Sequence, residues 1–238
     1  MRKDYLIGIS VFNEGQKIRR VVEKFNQYDL YDVLIVDDGS NDHCVEALEK
    51  NPAIVVLRND RCRGAGFTTR QTIQYAKEKK YPHVIFVSGN DKDDPADIPK
   101  FIDALNDGCD FVQGSRFLKG GRYGDMPVYR IIATRFVHPL FFSLASRRRI
   151  TDSTNGFRAV KTRFFDDARM DIHQPWLDGY GLEPYVFFYA IRLGYRVTEV
   201  PVTKIYPPKA EGYTKMKPWT GWWGILRPVV YLGLGIRR

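Results

Sequence analysis

The first half of the chain alternates short apolar runs with amphipathic stretches. Each apolar run is followed by a polar loop, and the runs lie at residues 5–12, 33–36, 54–57, 84–87 and 111–112. After the first run, apolar residues recur with helical spacing at Ile18, Val21, Val22 and Phe25. Strands that alternate with helices in this way are typical of a doubly wound α/β fold. The pattern therefore predicts a central, mostly parallel sheet with helices on both faces.

Polar loops follow four of the predicted strands, at residues 13–15, 37–40, 88–94 and 114–116. In a doubly wound sheet the loops that follow the strands gather at one edge, and ligands bind there. We therefore expect the chemistry of the first half at this edge. The third of these loops leads into a predicted helix, because Asp94 is a good N-cap residue and Pro95 suits the first helical position.

The second half carries two segments that are apolar, aromatic and basic together. Residues 129–149 combine large apolar side chains with arginines and contain no acid. The tail over residues 218–238 holds Trp219, Trp222 and Trp223. Such side chains suit the headgroup region of a bilayer, so we predict two amphipathic segments at a membrane interface. The alternative is that both segments pack on the core or in a dimer interface.

Composition narrows the class of partner. A formal net charge of +9 suits nucleic acid, anionic lipid or a phosphorylated substrate. A nucleic-acid binder is disfavoured, because no binding motif is present and the aromatic residues lie in apolar runs. The isolated thiols of Cys44, Cys62 and Cys109 suit a reducing compartment. We see no secretory signal and no apolar run of about 18 residues, and therefore expect a cytoplasmic, peripheral protein.

The tetrapeptide Asp37-Asp38-Gly39-Ser40 is the most specific short motif. At the end of a strand, its carboxylates can accept hydrogen bonds from a uracil-type base and from ribose hydroxyls, and Gly39 permits a tight turn. The alternative is a set of Asx-turn residues that cap the next helix. Asn13-Glu14, after the first strand, fits either a ligand contact or a helix cap.

Seven segments, in order over about residues 5–205, resemble the family-two glycosyltransferases, in particular the polyprenyl-phosphate branch that includes dolichol-phosphate mannose synthase. They are Val11-Phe12-Asn13-Glu14, Val36-Asp37-Asp38-Gly39-Ser40, Arg63-Gly64-Ala65-Gly66 with Arg70, Asp94-Pro95-Ala96-Asp97-Ile98-Pro99, Gly114-Ser115-Arg116, Ser153-Thr154-Asn155-Gly156-Phe157-Arg158 and Leu193-Gly194-Tyr195-Arg196-Val197-Thr198-Glu199-Val200-Pro201-Val202.

This resemblance implies a Rossmann-like GT-A fold and an inverting hexosyltransferase. The enzyme would move a sugar from a UDP- or GDP-linked donor to a polyprenyl phosphate, undecaprenyl or dolichyl, at the inner face of the membrane. It would consist of a catalytic domain over residues 1–205 and a mobile loop with an amphipathic tail over residues 206–238. A homo-oligomer and a membrane partner protein are both compatible with the sequence.

One departure from the family concerns the metal. The family has an Asp-x-Asp motif that holds Mg²⁺ or Mn²⁺ on the diphosphate, and this slot reads Ser88-Gly89-Asn90 here. Oxygen ligands for a divalent ion are still available nearby, on Asn90, Asp91 and Asp93. Two alternatives stay open: Lys92 acts as a fixed cation on the phosphate, or the loop is merely polar and holds no ion.

The resemblance also implies the residues of the site. The donor would be bound by Phe12, Asn13, Glu14, Asp37, Asp38, Gly39, Gly64, Arg70, Ser88, Gly89, Asn90 and Lys215. The reaction would be carried by Asp91, Arg116, Arg130, Arg158 and Glu183. The three arginines would hold the acceptor phosphate, because guanidinium groups bind phosphate oxygens in pairs. Glu183 would be the general base if the acceptor were a hydroxyl.

Two other functions fit the same residues. One is transfer to a glycan or glycolipid hydroxyl in polysaccharide biosynthesis. The other is a non-catalytic, nucleotide-sugar-binding protein at the membrane, for which the altered Asp-x-Asp slot is the main support.

Overall fold

A seven-stranded sheet forms the centre of the molecule. The computed structural model describes residues 3–25, 29–206 and 218–237. The sheet has the spatial order β3-β2-β1-β4-β7-β5-β8, and β6 pairs with β9 beside it. The strands are β1 Tyr5–Val11, β2 Asp32–Asp37, β3 Ile54–Arg58, β4 His83–Ser88, β5 Phe111–Ser115, β6 Arg122–Gly124, β7 Arg158–Lys161, β8 Val197–Pro201 and β9 Thr203–Ile205.

All neighbours in the large sheet are parallel except β7, which runs antiparallel to both β4 and β5. The predicted mostly parallel sheet is confirmed. The register places Ser10 beside both Val36 and Ser88, so the loops after β1, β2 and β4 begin at the same edge. Near the end of the sheet region, the chain is divided at Val202 into β8 and β9.

Helices cover both faces of the sheet. The helices are α1 Lys17–Phe25, α2 Ala65–Glu78, α3 Ile98–Asn106, α4 Val128–Ile132, α5 His138–Ser146, α6 Leu182–Arg192 and α7 Pro218–Gly233. The predicted stripe of α1 is buried and shares one core with α3. On the opposite face α2 contributes Ile73 to a core with α6. Together the helices shield the apolar strands from water, which is the main source of the fold's stability.

A long helical run covers one end of the second core. It consists of α4, a π-helical turn over Ala133–Val137, and α5. The helix α7 packs against α5 and α6 and buries Val229 and Leu232 in that core. The run and α7 also expose large apolar side chains: Val128, Tyr129, Ile132, Phe136, Val137, Leu140, Phe141, Leu144 and Trp223. Within the described ranges, none of the helices is both long and apolar enough to cross a bilayer.

Candidate active site

Two adjoining cavities open at the edge where the parallel strands end. The first cavity, of about 510 Å³, is lined by Phe12, Glu14, Asp38 and Gly64. The second cavity, of about 250 Å³, lies toward β5 and α4. Both share one wall, which we call the seam: Ser10, Ala65, Ser88, Asn90, Lys92, Arg130 and Tyr180. The edge predicted from the loop pattern therefore does hold a cleft with polar walls.

The two aspartates after β2 organise the loops around the first cavity. Asp37 is fully buried and accepts hydrogen bonds from the backbone N–H and the hydroxyl of Ser40. This is the turn role that the alternative interpretation assigned to it. Asp38 lines the cavity, and its Oδ2 accepts from the N–H of Gly64 at 2.8 Å. The oxygens of Asp38 thus fix the loop before α2.

Gly39 and Gly64 are required by the backbone. Gly39 has a φ of +76°, and a Cβ there would lie 2.6 Å from the carbonyl carbon of Arg61. Gly64 has a φ of +108°, and a Cβ would lie 2.4 Å from the carbonyl oxygen of Asp178. Both positive φ values strain any residue with a side chain. These glycines therefore shape the first cavity through the path of the chain.

The loop after β1 is joined to the loop after β2. Asn13 accepts from the N–H of Asn41 through Oδ1 at 2.9 Å, and its own N–H donates to Ser40 Oγ at 2.9 Å. Phe12 and Glu14, on either side of it, line the first cavity. Arg70 has a different position: it pairs with Asp178 and donates to the carbonyl of Ile172. It ties α2 to that segment and is not among the residues that line either cavity.

The structure separates the three predicted metal ligands. Asp91, at a φ of +59°, receives Arg20 Nε and Lys24 Nζ from α1, each at 2.7 Å. The side chain of Asp93 is buried and pairs with Lys204. Asn90 lies at the seam, with Oδ1 buried and unsatisfied. Among the described residues no three His, Cys, Asp or Glu side chains form a metal-binding group. Asp91 and Asp93 are each paired with cations of the protein, and in this structure the three predicted ligands do not converge on one ion.

Ser88 and Gly89, the other residues of the slot, lie at the end of β4. Ser88 lines both cavities, and its N–H points at Asp93 Oδ2 at 3.4 Å. Gly89 passes close to β1, because a Cβ there would lie 2.9 Å from a methyl group of Val11. The strand end is therefore packed tightly, with the hydroxyl of Ser88 on the cavity side.

Arg116 lines the second cavity and is held in a buried ion pair. It donates to Asp152 through Nε at 2.7 Å and through Nη2 at 2.8 Å, and Nη2 also donates to Thr154 Oγ1 at 2.7 Å. Burial alone would raise the pKa of Asp152, but the charge and hydrogen bonds of Arg116 outweigh it and lower the pKa. Both residues are therefore charged, and Arg116 is fixed in position.

Arg130 and Glu183 present charged groups to the second cavity. Arg130, on α4, belongs to the seam, and its Cζ lies 5.4 Å from the centre of the Tyr206 ring. Glu183 lines the second cavity at the start of α6. Arg158 is buried behind it, with Nη2 at 3.6 Å from Glu183 Oε2 and Nη1 donating to the Glu183 carbonyl. Arg158 therefore positions Glu183 from below and does not face either large cavity.

Two lysines, Lys92 and Lys204, also line the second cavity. Lys92 belongs to the seam, with Nζ 4.5 Å from the centre of the Tyr206 ring. Burial, and then the charges of Lys204 and Arg130, lower the pKa of Lys92 to about 7. Neither lysine is among the residues predicted to form the site. The sequence indicates Lys92 only as an alternative, as a fixed cation on the phosphate in place of a metal ion. Lys204 follows the strand alternation of β9, and its approach to Asp93 depends on pairing across 111 residues. Lys215 lies outside the described residues.

Comparison with known proteins gives a consistent picture. The family model described as glycosyl transferase family 2 matches residues 6–169. A dolichyl-phosphate hexose transferase of Haloferax volcanii is 27% identical over 95% of this chain and 92% of its own length. An undecaprenyl-phosphate mannosyltransferase of Micrococcus luteus is 28% identical over 72% of this chain and 71% of its own.

The fold is that of a solved glycosyltransferase structure. Glucosyl-3-phosphoglycerate synthase from Mycobacterium tuberculosis, in complex with Mn²⁺, UDP and glucosyl-3-phosphoglycerate, superposes with a TM-score of 0.69. The match covers 98% of this chain and 79% of that one, at 17% identity. At this identity the likeness establishes the GT-A fold and does not transfer the ligands of that structure.

Proposed function

The chain belongs to glycosyltransferase family 2, and from this premise we propose that it transfers a hexose from a nucleoside diphosphate sugar to a polyprenyl phosphate at a membrane surface. The relatives named above act on lipid phosphates of this kind. As a GT-A glycosyltransferase the chain is an enzyme, which sets aside the alternative of a non-catalytic binding protein. The solved glycosyltransferase named above holds Mn²⁺, whereas the candidate ligands Asp91 and Asp93 of this chain are paired with cations.

One structural observation supports a lipid phosphate as the acceptor. The helical run that lines the second cavity with Arg130 and Thr134 also exposes Val128, Tyr129 and Ile132. A cationic pocket therefore adjoins an apolar surface on the same element. A polyprenyl phosphate has the matching chemistry, because its anionic head suits the arginine and its hydrocarbon chain suits the exposed side chains. A free sugar phosphate would leave that apolar surface exposed to water.

The reaction is a displacement at the anomeric carbon. An oxygen of the acceptor phosphate forms the new bond to that carbon, the bond to the donor diphosphate breaks, and the nucleoside diphosphate leaves with the electron pair. The attacking phosphate is already an anion at neutral pH, so this reaction needs orientation and charge stabilisation and no proton transfer. The first cavity would hold the nucleoside, the second the acceptor head, and the sugar would lie at the seam.

Glu183 favours a second candidate, transfer to a glycan or glycolipid hydroxyl. Its carboxylate borders the second cavity, and buried Arg158 holds it from below. A hydroxyl acceptor must lose its proton during attack, and a positioned carboxylate is suited to accept it. The two candidates therefore differ in whether Glu183 is needed for turnover.

The deciding experiment measures nucleotide release from UDP- and GDP-linked sugars with a short-chain polyprenyl phosphate, the matching polyprenol, or a glycan acceptor. We expect turnover only with the polyprenyl phosphate, and none with the polyprenol or the glycan acceptor. Arg130→Gln should lower kcat/KM for that acceptor by roughly 10- to 100-fold, because it removes a charge-assisted contact. Glu183→Gln should retain activity within about threefold. Turnover with a hydroxyl acceptor that Glu183→Gln abolishes would establish the second candidate instead.

A further inference from the structure

We propose that Lys92, held at the seam, supplies as a fixed cation the charge that stabilises the departing nucleoside diphosphate, and that the enzyme works without a divalent metal. This inference rests on the proposed function, since it names a group that assists the same displacement. It starts from the carboxylates after β4, which are where a metal would have to bind.

Two carboxylates of this loop, those of Asp91 and Asp93, are paired with the protein's own cations. Asp91 has two partners on α1, Arg20 and Lys24, on the side of the loop that faces away from both cavities. Asp93 is buried against Lys204. A divalent ion would have to displace these partners and turn Asp91 around. Breaking the buried pair of Asp93 and Lys204 would be costly, which makes such a rearrangement unfavourable.

Lys92 lies between these aspartates in sequence but differs from Asp91 in the cavities that it lines. Its side chain lines both cavities, whereas Asp91 lines neither. The backbone on either side is pinned to β9: the carbonyl of Lys92 accepts from the N–H of Ile205 at 3.0 Å, and Asp93 forms a bridge with Lys204. The amino group of Lys92 therefore sits on a fixed backbone. Burial favours its neutral form, and a diphosphate bound beside it would favour the charged ammonium form instead.

The local charge is consistent with a diphosphate. Asp93 neutralises Lys204, and Asp152 neutralises Arg116, so these pairs add little net charge. Lys92 and Arg130 both belong to the seam that the two cavities share. Arg130 is carried by α4, which also exposes apolar side chains. Lys92, two residues after Asn90 in the loop that follows β4, is placed to stabilise the negative charge that develops on the leaving oxygen.

The first test compares metal dependence. Wild-type turnover is measured after exhaustive chelation with EDTA and again with added Mg²⁺ or Mn²⁺, and bound Mn²⁺ is followed by electron paramagnetic resonance with UDP or GDP present. We expect rates that agree within about twofold, and no nucleotide-dependent Mn²⁺ signal. A strict requirement for metal, or a bound Mn²⁺ in the nucleotide complex, would overturn the inference and leave the proposed function standing.

The second test examines Lys92 directly, in EDTA. Lys92→Gln should weaken binding of UDP or GDP by roughly 10-fold, leave binding of the bare nucleoside unchanged, and lower kcat by roughly 100-fold or more. Lys92→Arg should restore most of both. Lys119→Gln, an exposed lysine outside the cavities, is the matched control, and thermal unfolding checks that each variant folds.

The outcomes separate the two proposals. Wild-type behaviour of Lys92→Gln, or equal loss of nucleoside and diphosphate binding, would refute the role of Lys92. A nucleoside diphosphate that binds through Lys92 without metal, in an enzyme that does not use polyprenyl phosphate, would refute the proposed acceptor and support the inference.

Discussion

At the scale of single residues, position along the chain and function of the side chain are separate questions. The sequence correctly predicts that Asp37, Asp38 and the residues after β4 reach one edge of the sheet. It does not reveal which carboxylates are already occupied, because their partners are far away: Arg20 is 71 residues from Asp91, and Lys204 is 111 residues from Asp93. The roles of Asp37 and Asp38 in donor binding, and of Asp91 and Asp93 in metal binding, stay predictions.

Arg116 shows how this affects the choice of variants. Its guanidinium group and the Asp152 carboxylate are both buried, so Arg116→Gln leaves a carboxylate without its counter-ion. We expect the free energy of unfolding to fall by about 3–5 kcal/mol. Urea unfolding followed by circular dichroism measures this change, and the double variant Arg116→Gln/Asp152→Asn should recover part of it.

A single variant as stable as the wild type would contradict this account of the pair. If the account holds, lost activity in an Arg116 variant does not by itself report on acceptor binding. Arg130 forms no ion pair with a buried carboxylate in the described part of the chain, so it is the more informative position for that purpose.

At the scale of elements, apolar periodicity predicts the strands and helices that have a regular pattern. It identifies β1 to β5 and α1, because each shows an apolar run before a polar loop or a helical spacing of apolar residues. The four residues of β7 are too few to show one, and the strand is defined by its hydrogen bonds to β4 and β5. Tertiary pairing of this kind cannot be read from a short segment.

The junction of α5 and α7 gives a prediction about pH. His138 is buried, with Nδ1 2.7 Å from Ser153 Oγ and Nε2 3.3 Å from the Ile225 carbonyl. Burial lowers the pKa of His138 to about 4 from an unfolded value of 6.5. The unfolded chain therefore takes up a proton first as the pH falls. The contribution of neutral, buried His138 to the free energy of unfolding is fully present above pH 6.5. It falls by about 3 kcal/mol as the pH falls toward 4.

This loss is measured as the difference in unfolding free energy between pH 7 and pH 4.5 for the wild type and His138→Gln. The glutamine can still donate to Ile225 but does not titrate, so its stability should fall less over that range. Equal pH dependence in both proteins would show that His138 does not carry the effect.

At the scale of the whole molecule, a net charge of +9 acts together with the exposed apolar side chains of the helical run. The charge would draw the protein toward anionic lipid, and the apolar side chains would then enter the interface. The sequence predicts both segments involved, whereas only the structure shows that α7 also contributes to the core.

The corresponding prediction concerns vesicles. Leu140 and Leu144 on α5 are exposed, so Leu140→Gln/Leu144→Gln should fold normally. We expect its partitioning onto anionic vesicles to fall by roughly 10- to 100-fold, because two apolar side chains no longer enter the lipid. Cosedimentation measures this change. High salt should weaken wild-type binding by screening the charge.

Leu30→Gln is the matched control, since Leu30 is also exposed but precedes β2 at the far edge of the sheet. Turnover of a short-chain acceptor in solution should be the same in all three proteins. Unchanged cosedimentation of the double variant would show that α5 does not contact the lipid.

The position of β7 between β4 and β5 has a consequence for biosynthesis. As the chain leaves the ribosome from its N-terminus, β1 to β4 can pair with one another as soon as they emerge. β5 follows them in sequence but has no neighbour in the sheet until β7 has been made. The half of the sheet beside the second cavity is therefore assembled after the half beside the first, and the nascent chain carries the apolar β5 unpaired over that interval.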